Sequence, residues 1–289
     1  KIKPDVLYIN GLYSWHFNLV PLLFTRTPRK IISVRGMLHP GAMSQKRLKK
    51  KAYLRLWKIF NWQKKAIYHA SDDIEAGYIR QHLKKVPLFT AFNFPRKQEE
   101  IVPVEKKEGK LKLLSIGIIS PMKNYLSVLK VLKGAKERII YSIYGPVKDN
   151  AYWQKCLLAM EDMPPNVTIL YMGEVIPADV PSVLAEAEVF ILPSKSENFG
   201  HALFEALGAG RPVITSHHTP WKDLKNHHAG INVEVNDAEI KQAISFFAAM
   251  DDQQFAAWSQ GAAKFAAQAI QTEMLIAEYD QLFNRTISR

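Results

Sequence analysis

The sequence predicts an α/β protein of two domains, each a parallel sheet with helices packed on it. Three observations carry that prediction. Short apolar runs alternate with helical stretches along most of the chain, the pattern of strands linked by helical crossovers. Two such series occur, separated by a charged, aperiodic stretch at 94–110 that reads as the interdomain linker. Val189 to Leu192 is apolar throughout, as a central strand should be.

In the first series Val6 to Ile9, Ile31 to Val34 and Ala66 to His69 read as strands, and Arg47 to Lys64 as a long basic helix. Ser71-Asp-Asp-Ile-Glu75 reads as a helix start with a Ser cap, followed by acids that complement the positive helix end. That helix should run to about Leu83. The second series has expected strands at 111–116, 139–144, 167–171, 188–192 and 212–215. Its expected helices lie near 123–133, 150–160, 180–186 and 200–207. Helices near 237–249, 252–268 and 271–284 close the chain. The domains are expected at 1–103 and 104–270, with 271–289 a terminal helix.

Hydrophobic content of 47% and charged content of 23% are those of a soluble globular protein. The single Cys156 excludes a disulfide framework and a cysteine-rich metal site; it is expected to be a buried structural thiol. No apolar run approaches a bilayer span of about 18–20 residues, and no signal peptide is visible. The chain opens on a strand almost at once from Lys1, so an upstream portion is expected to be missing. Charge is unevenly spread. Residues 1–104 hold 20 Lys/Arg against 6 Asp/Glu, and residues 105–289 hold 19 against 21. The asymmetry calls for an anionic partner of the first third.

Residues 189–215 are the most informative. A strand (Val189 to Leu192) leads through a turn (Pro193 to Asn198) into a helix (Gly200 to Leu207), which Gly208 and Gly210 end before the next strand. In an open α/β sheet, ligands sit at the C-terminal ends of strands, where helix N-termini present N–H groups to anions. Glu197 therefore lies at the mouth of such a site, and Glu205 one to two turns into the helix. A carboxylate accepts only, with room for two hydroxyl donors, which suits the vicinal hydroxyls of a sugar or ribose. An isolated Glu pair is usually a solvated loop residue and a helix-surface residue. The Pro-Ser, Asn-Phe-Gly, Glu-Ala and Gly-Arg-Pro-Val elements around this one set it apart.

This segment resembles the E-x7-E signature of retaining glycosyltransferases with the GT-B fold, most closely glycosyltransferase family 4 (group 1). The resemblance implies two Rossmann-like domains facing a cleft, the first one incomplete here, with the last helix crossing back to the first domain. It implies that Glu197 contacts the donor sugar and acts in catalysis. It also implies that the amides of Asn198, Phe199 and Gly200 help hold sugar and diphosphate, and that Glu205 binds the ribose. Ser115-Ile-Gly117-Ile-Ile-Ser-Pro-Met-Lys123-Asn124 joins the first strand of the second domain to its first helix, where a Gly turn and a Lys can hold a diphosphate. It is similar to the family's G-R-x(4)-K motif. Gly117, Lys123 and Asn124 are thereby donor-side candidates, with Lys123 catalytic through the leaving diphosphate. Ile118 stands where the family has Arg.

In the first domain Asn10-Gly11-Leu-Tyr-Ser-Trp and Ser33-Val-Arg35-Gly36-Met37-Leu38 look like family segments at strand ends. Arg35, Gly36 and His39 are the acceptor-side candidates; Arg35 can bind an anion but cannot act as a base. The alternative for Arg35 is a structural ion pair. Residues 45–65 carry nine Lys/Arg and no acid, interleaved with Tyr53, Leu54, Leu56, Trp57, Ile59, Phe60 and Trp62. A basic amphipathic helix can lie on an anionic membrane surface, and a plain solvated helix is the alternative. His217-His218 and His227-His228 lack the partner spacing of a metal site, so no metal and no cofactor are expected.

The expectation is a retaining, metal-independent glycosyltransferase. It would move a sugar from a nucleotide-diphosphate donor to a polysaccharide, lipopolysaccharide or lipid-linked acceptor, in the cytoplasm or peripherally on the inner face of the membrane. Two alternatives stand beside it: a catalytically impaired nucleotide-sugar-binding protein, and a basic nucleic-acid-binding protein. No nucleic-acid motif supports the second, and nucleic acid is not an expected partner.

Overall fold

The computed structural model describes residues 3–44, 46–92, 102–269 and 272–284. Gln45 and 93–101, which include the first part of the expected linker, lie outside the described residues. The chain divides into two compact units, Lys1–Phe94 with Gln271–Arg289, and Pro95–Ile270. Among the described residues no helix is long and apolar enough to cross a membrane.

The first unit runs β1 (Val6–Asn10), a π-helical turn (Trp15–Leu19), α1 (Val20–Phe24), β2 (Arg29–Ser33), α2 (Pro40–Ser44), α3 (Arg47–Ile59), a 3-10 turn (Trp62–Lys65), β3 (Ile67–Ala70), α4 (Asp73–His82) and β4 (Leu88–Thr90). Its strands form a parallel sheet in the order β1-β2-β3-β4. Side chains alternate across a strand, so neighbours serve opposite faces. Ile32 and Tyr68 join Leu54 and Trp57 of α3 in one cluster, while Ile31 and Ile67 belong to another.

Two expectations fail here for local reasons. The basic helix stops at Ile59, not Lys64, because Asn61 takes a left-handed conformation (φ 53°) and the chain tightens into the 3-10 turn. Trp62 then meets Trp57 edge to face at 5.8 Å. The cap of α4 is Asp72 rather than Ser71: Asp72 Oδ1 accepts the Glu75 N–H at 2.7 Å. Ser71 has another task. Its N–H and Oγ–H both donate to Glu75 Oε2, at 2.7 and 2.8 Å.

The second unit runs β5 (Lys110–Ile116), α5 (Tyr125–Leu132), β6 (Arg138–Tyr144), α6 (Asn150–Met160), β7 (Val167–Tyr171), α7 (Val180–Ala185), β8 (Val189–Leu192), α8 (His201–Gly208), β9 (Val213–Ser216), β10 (Gly230–Val233), α9 (Asp237–Ala248) and α10 (Asp252–Ala269). The parallel sheet has the order β7-β6-β5-β8-β9-β10. The order reverses between β5 and β8, which opens a crevice at their C-terminal ends. β8 is buried at every position. Full burial of a side chain such as Phe190 or Ile191 contributes about 1.5–3 kcal/mol.

Cationic side chains pin the edges of this unit. Lys106 is buried; its ammonium donates to the carbonyls of Lys107 (2.9 Å), Ala248 (3.3 Å) and Lys110. A cation at the last carbonyls of α9 also suits the helix dipole. Burial holds the Lys106 pKa below its usual value. Arg211, from the Gly-Arg-Pro-Val element, is buried and donates to Leu184 O (2.8 Å) at the end of α7 and to Val102 O (2.7 Å). Burial brings its pKa down to about 10. Cys156 is buried, and burial raises its thiol to about 11.

The final helix, α11 (Thr272–Asn284), belongs to the first unit. Leu282 packs on Ile31 and Ile67, with Tyr279 and Phe283 beside it, and Arg29 donates to Phe283 O at 2.8 Å.

Candidate functional site

The loop after β5 and the loop after β8 meet where the strand order reverses. Gly117 N donates to Tyr144 O (2.9 Å) and Ile119 N to Pro146 O (2.9 Å), which fixes the first loop against the end of β6. Gly145 makes that fit possible, since a Cβ there would lie 2.0 Å from Gly117 O. The Tyr125 hydroxyl donates to the same Gly117 carbonyl at 2.7 Å. Burial pushes the pKa of Tyr125 well up, so the hydroxyl keeps its proton and remains a donor. The two loops are stitched directly by Lys195 N donating to Met122 O at 2.8 Å.

Lys123 precedes α5 instead of starting it, because Asn124 takes a left-handed conformation (φ 60°) at the N-cap position. Its ammonium forms an ion pair with Glu197 Oε1 across the two loops. The side chains are 22% and 11% exposed, so water screens this pair less than it would a surface pair. Ser194 Oγ donates to the same carboxylate oxygen at 3.1 Å. Glu197 N donates to His218 O at 3.2 Å, which ties the loop to the segment after β9. Asn124 Oδ1 accepts from Ser127 Oγ at 2.9 Å, and its Nδ2 is buried with no hydrogen-bond partner among the described residues. An unmade bond of this kind costs about 1–3 kcal/mol.

Gly200 is the N-cap of α8, and its φ of 76° is a conformation glycine adopts readily. A Cβ there would approach Leu203 Cδ1 at 3.0 Å and Trp221 Nε1 at 3.3 Å. Trp221 Nε1 donates to Phe199 O at 2.6 Å, and its ring stacks on Phe204 at 5.4 Å. Phe199 is itself buried, while Asn198 is partly exposed. Glu205 lies half-buried, four residues after His201 on α8. The helix ends in a Schellman motif: Gly210 N bonds Leu207 O (3.0 Å) and Arg211 N bonds Ala206 O (2.9 Å).

The structure thus brings Lys123 and Glu197 into contact, with Gly117, Asn124, Asn198, Phe199 and Gly200 on the same two loops and Glu205 on the helix that follows. An ammonium, a carboxylate and a helix N-terminus in one crevice can receive an anion beside a hydroxylated group. Ile118 is 41% exposed and brings no charge. Sequence reasoning gave no role to Ser194, Tyr125 or Trp221. The Pro-Ser element was a usable signal for Ser194. Trp221 lies 22 residues from Phe199, and no local pattern links them.

Arg35, Gly36 and His39 lie together in the turn after β2, in the first unit. Arg35 is exposed, with φ 53°, and its Nε donates to Asn10 Oδ1 at 3.2 Å. The Gly36 N–H is committed to Glu75 Oε1. His39 stands edge-on to Tyr78 at 5.2 Å, and its Nδ1 accepts the Gly41 N–H at 3.2 Å. A histidine unremarked in the sequence, His69, is fully buried at the end of β3. Its Nε2 faces Ala91 O at 2.8 Å and must donate, so Nδ1 accepts from the Tyr8 hydroxyl at 2.6 Å. That is the neutral form, and burial lowers the His69 pKa accordingly. Among the described residues no group of three or more His, Cys, Asp or Glu is placed to hold a metal ion.

Comparison with known proteins adds the following. Residues 96–265 match the family model described as glycosyl transferases group 1. The chain is 29% identical over 169 residues to the O-antigen chain mannosyltransferase B of Escherichia coli, a match covering 55% of this chain and 42% of that protein. Among solved structures it resembles Anabaena HepE in complex with UDP-glucose, with a TM-score of 0.71, 15% identity, and coverage of 96% of this chain and 77% of that one. It also resembles S. aureus TarM in complex with UDP and α-GlcNAc-glycerol, with a TM-score of 0.69, 15% identity, and coverage of 91% and 53%. At such identity these likenesses speak for the fold, which is GT-B. The chain spans about half the length of the mannosyltransferase and of TarM.

Proposed function

Because this chain belongs to the glycosyl transferases group 1 family, we propose that it moves a sugar from a nucleotide-diphosphate donor to a glycan hydroxyl with retention at C1. One observation carries the reading: the Lys123–Glu197 pair joins the loops of β5 and β8 at the reversal of strand order. A diphosphate there would take the Lys123 ammonium and the N–H groups at the start of α8. Glu197, released from Lys123, would accept from sugar hydroxyls, and Glu205 from the ribose. Asn124 Nδ2, buried without a hydrogen-bond partner among the described residues, would supply a further donor beside Lys123.

In the step itself the C1–O bond to the diphosphate breaks and the acceptor oxygen bonds C1 on the same face. The acceptor proton passes to the departing phosphate. Positive charge preorganised at the diphosphate is the main assistance. Lys123 supplies it without a divalent ion, so turnover is expected to survive a chelator. The acceptor class proposed is a polysaccharide, lipopolysaccharide or lipid-linked glycan, supported by the likeness to an O-antigen mannosyltransferase.

A thermal-shift panel of UDP, GDP and ADP with their sugars, followed by product analysis, tests the reading. A ligand that selects the folded state raises its melting point. No shift with any of these donors would sink the proposal. A second reading, nucleotide-sugar binding without transfer, rests on Ile118 at the position of an expected Arg. Calorimetric binding with no product would favour it.

A further inference from the structure

We infer that the outer face of α3 is a docking surface for an anionic phospholipid bilayer. The inference is independent of the transferase reading, because α3 belongs to the first unit. The helix has two apolar stripes. Leu54 and Trp57 are buried in the core of the unit. Leu48, Ala52, Leu56 and Ile59 recur at i, i+4, i+8 and i+11, which places them on one face, and all four are exposed. Leu48 is 82% and Ile59 61% exposed. Phe60, just past the helix end, is exposed as well. A helix that needed only to cover its own core would require the first stripe alone.

Charge decides what covers the second. Eight exposed Lys/Arg lie between Lys46 and Lys65, with Lys49 on one side of the stripe and Lys51 and Lys58 on the other. Lys50 is turned inward, donating to Ala42 O at 2.6 Å and lying over the Tyr13 ring. No acidic residue occurs between Asp5 and Asp72. An apolar stripe flanked by cations fits the boundary between acyl chains and anionic headgroups. Each cation near such a surface favours binding by about fivefold. A nucleic acid would engage the cations and leave Leu48, Leu56 and Ile59 without a role.

Vesicle co-sedimentation of the full chain tests the inference. The chain is expected to sediment with phosphatidylethanolamine–phosphatidylglycerol vesicles and not with phosphatidylcholine vesicles, and less so as salt rises. Combined Leu48→Ser, Leu56→Ser and Ile59→Ser is expected to lower the partition coefficient at least about tenfold with the melting point nearly unchanged. Should that variant melt early, Leu48→Ser alone, at the most exposed position, is expected to lower it about threefold. Absence of binding to the anionic vesicles would overturn the inference. So would undiminished binding by the Ser variants, matched by binding to duplex oligonucleotides, because charge alone would then explain both.

Discussion

Lys123 and Glu197 hold each other's charge, so on the proposed reading each would change partner when a donor binds. On that reading Lys123→Ala would remove one charge-assisted bond to the diphosphate, worth about 1.5–3 kcal/mol, or roughly 10–150-fold. The expected result is a drop of that order in kcat/KM for the donor, measured at subsaturating donor. Glu205→Ala is expected to raise the donor Kd about tenfold, read by calorimetry, with a smaller change in kcat. Gly200→Ala forces a side chain into a left-handed conformation close to Leu203 and Trp221. A loss of about 1–2 kcal/mol in urea unfolding is expected. At this scale the acids and the lysine were legible because their spacing in the chain is a local pattern. Ser194, three residues from Glu197, had a local signal in the Pro-Ser element, whereas Trp221 had none, because its partner is set by the fold: the indole reaches back to Phe199 O.

Among the elements, Glu75 is a clasp. Its carboxylate accepts from Ser71 N, Ser71 Oγ and Gly36 N, which joins the start of α4 to the turn after β2. Glu75→Ala leaves those donors unpaired in a buried place and is expected to cost about 2–3 kcal/mol, seen as a lower denaturation midpoint. His69, on β3, meets Tyr279 of α11 edge to face at 5.4 Å. Its folded pKa is below the usual 6.5, chiefly through burial, with Arg35 adding to the effect. The unfolded chain therefore takes up the proton first. Stability should be full above about pH 6.5 and should fall as pH drops from there toward the folded pKa; His82, lowered by burial and Lys58, adds to the same trend. Melting curves across that range should show the slope, and His69→Gln should flatten it. The helices and central strands of the second unit were readable within a residue or two, because β8 is apolar throughout and β5 and β6 each hold several buried apolar residues. The two strands missed, β4 and β10, both lie at sheet edges. β4 is three half-buried residues, and β10 begins with a glycine and carries Asn232. An edge strand buries less and so writes a weaker apolar signature.

At the scale of the molecule, the chain begins one unit, builds the other, and returns to the first. α11 covers Ile31 and Ile67 through Leu282, which is fully buried. Leu282→Ala is expected to cost about 2–5 kcal/mol, read as an earlier melting transition, while donor binding to residues of the second unit is retained. Charge asymmetry was legible from composition alone, whereas a face of the N-terminal sheet covered by residues 272–284 has no local trace in the sequence around Ile31. That arrangement has a consequence for biosynthesis. Emerging from the ribosome, β1 to β4 cannot finish their core until a helix encoded some two hundred codons later has been translated. The intervening lobe can meanwhile fold by itself, and the nascent amino-terminal half, with its oily side uncovered, is the stretch most in need of a chaperone.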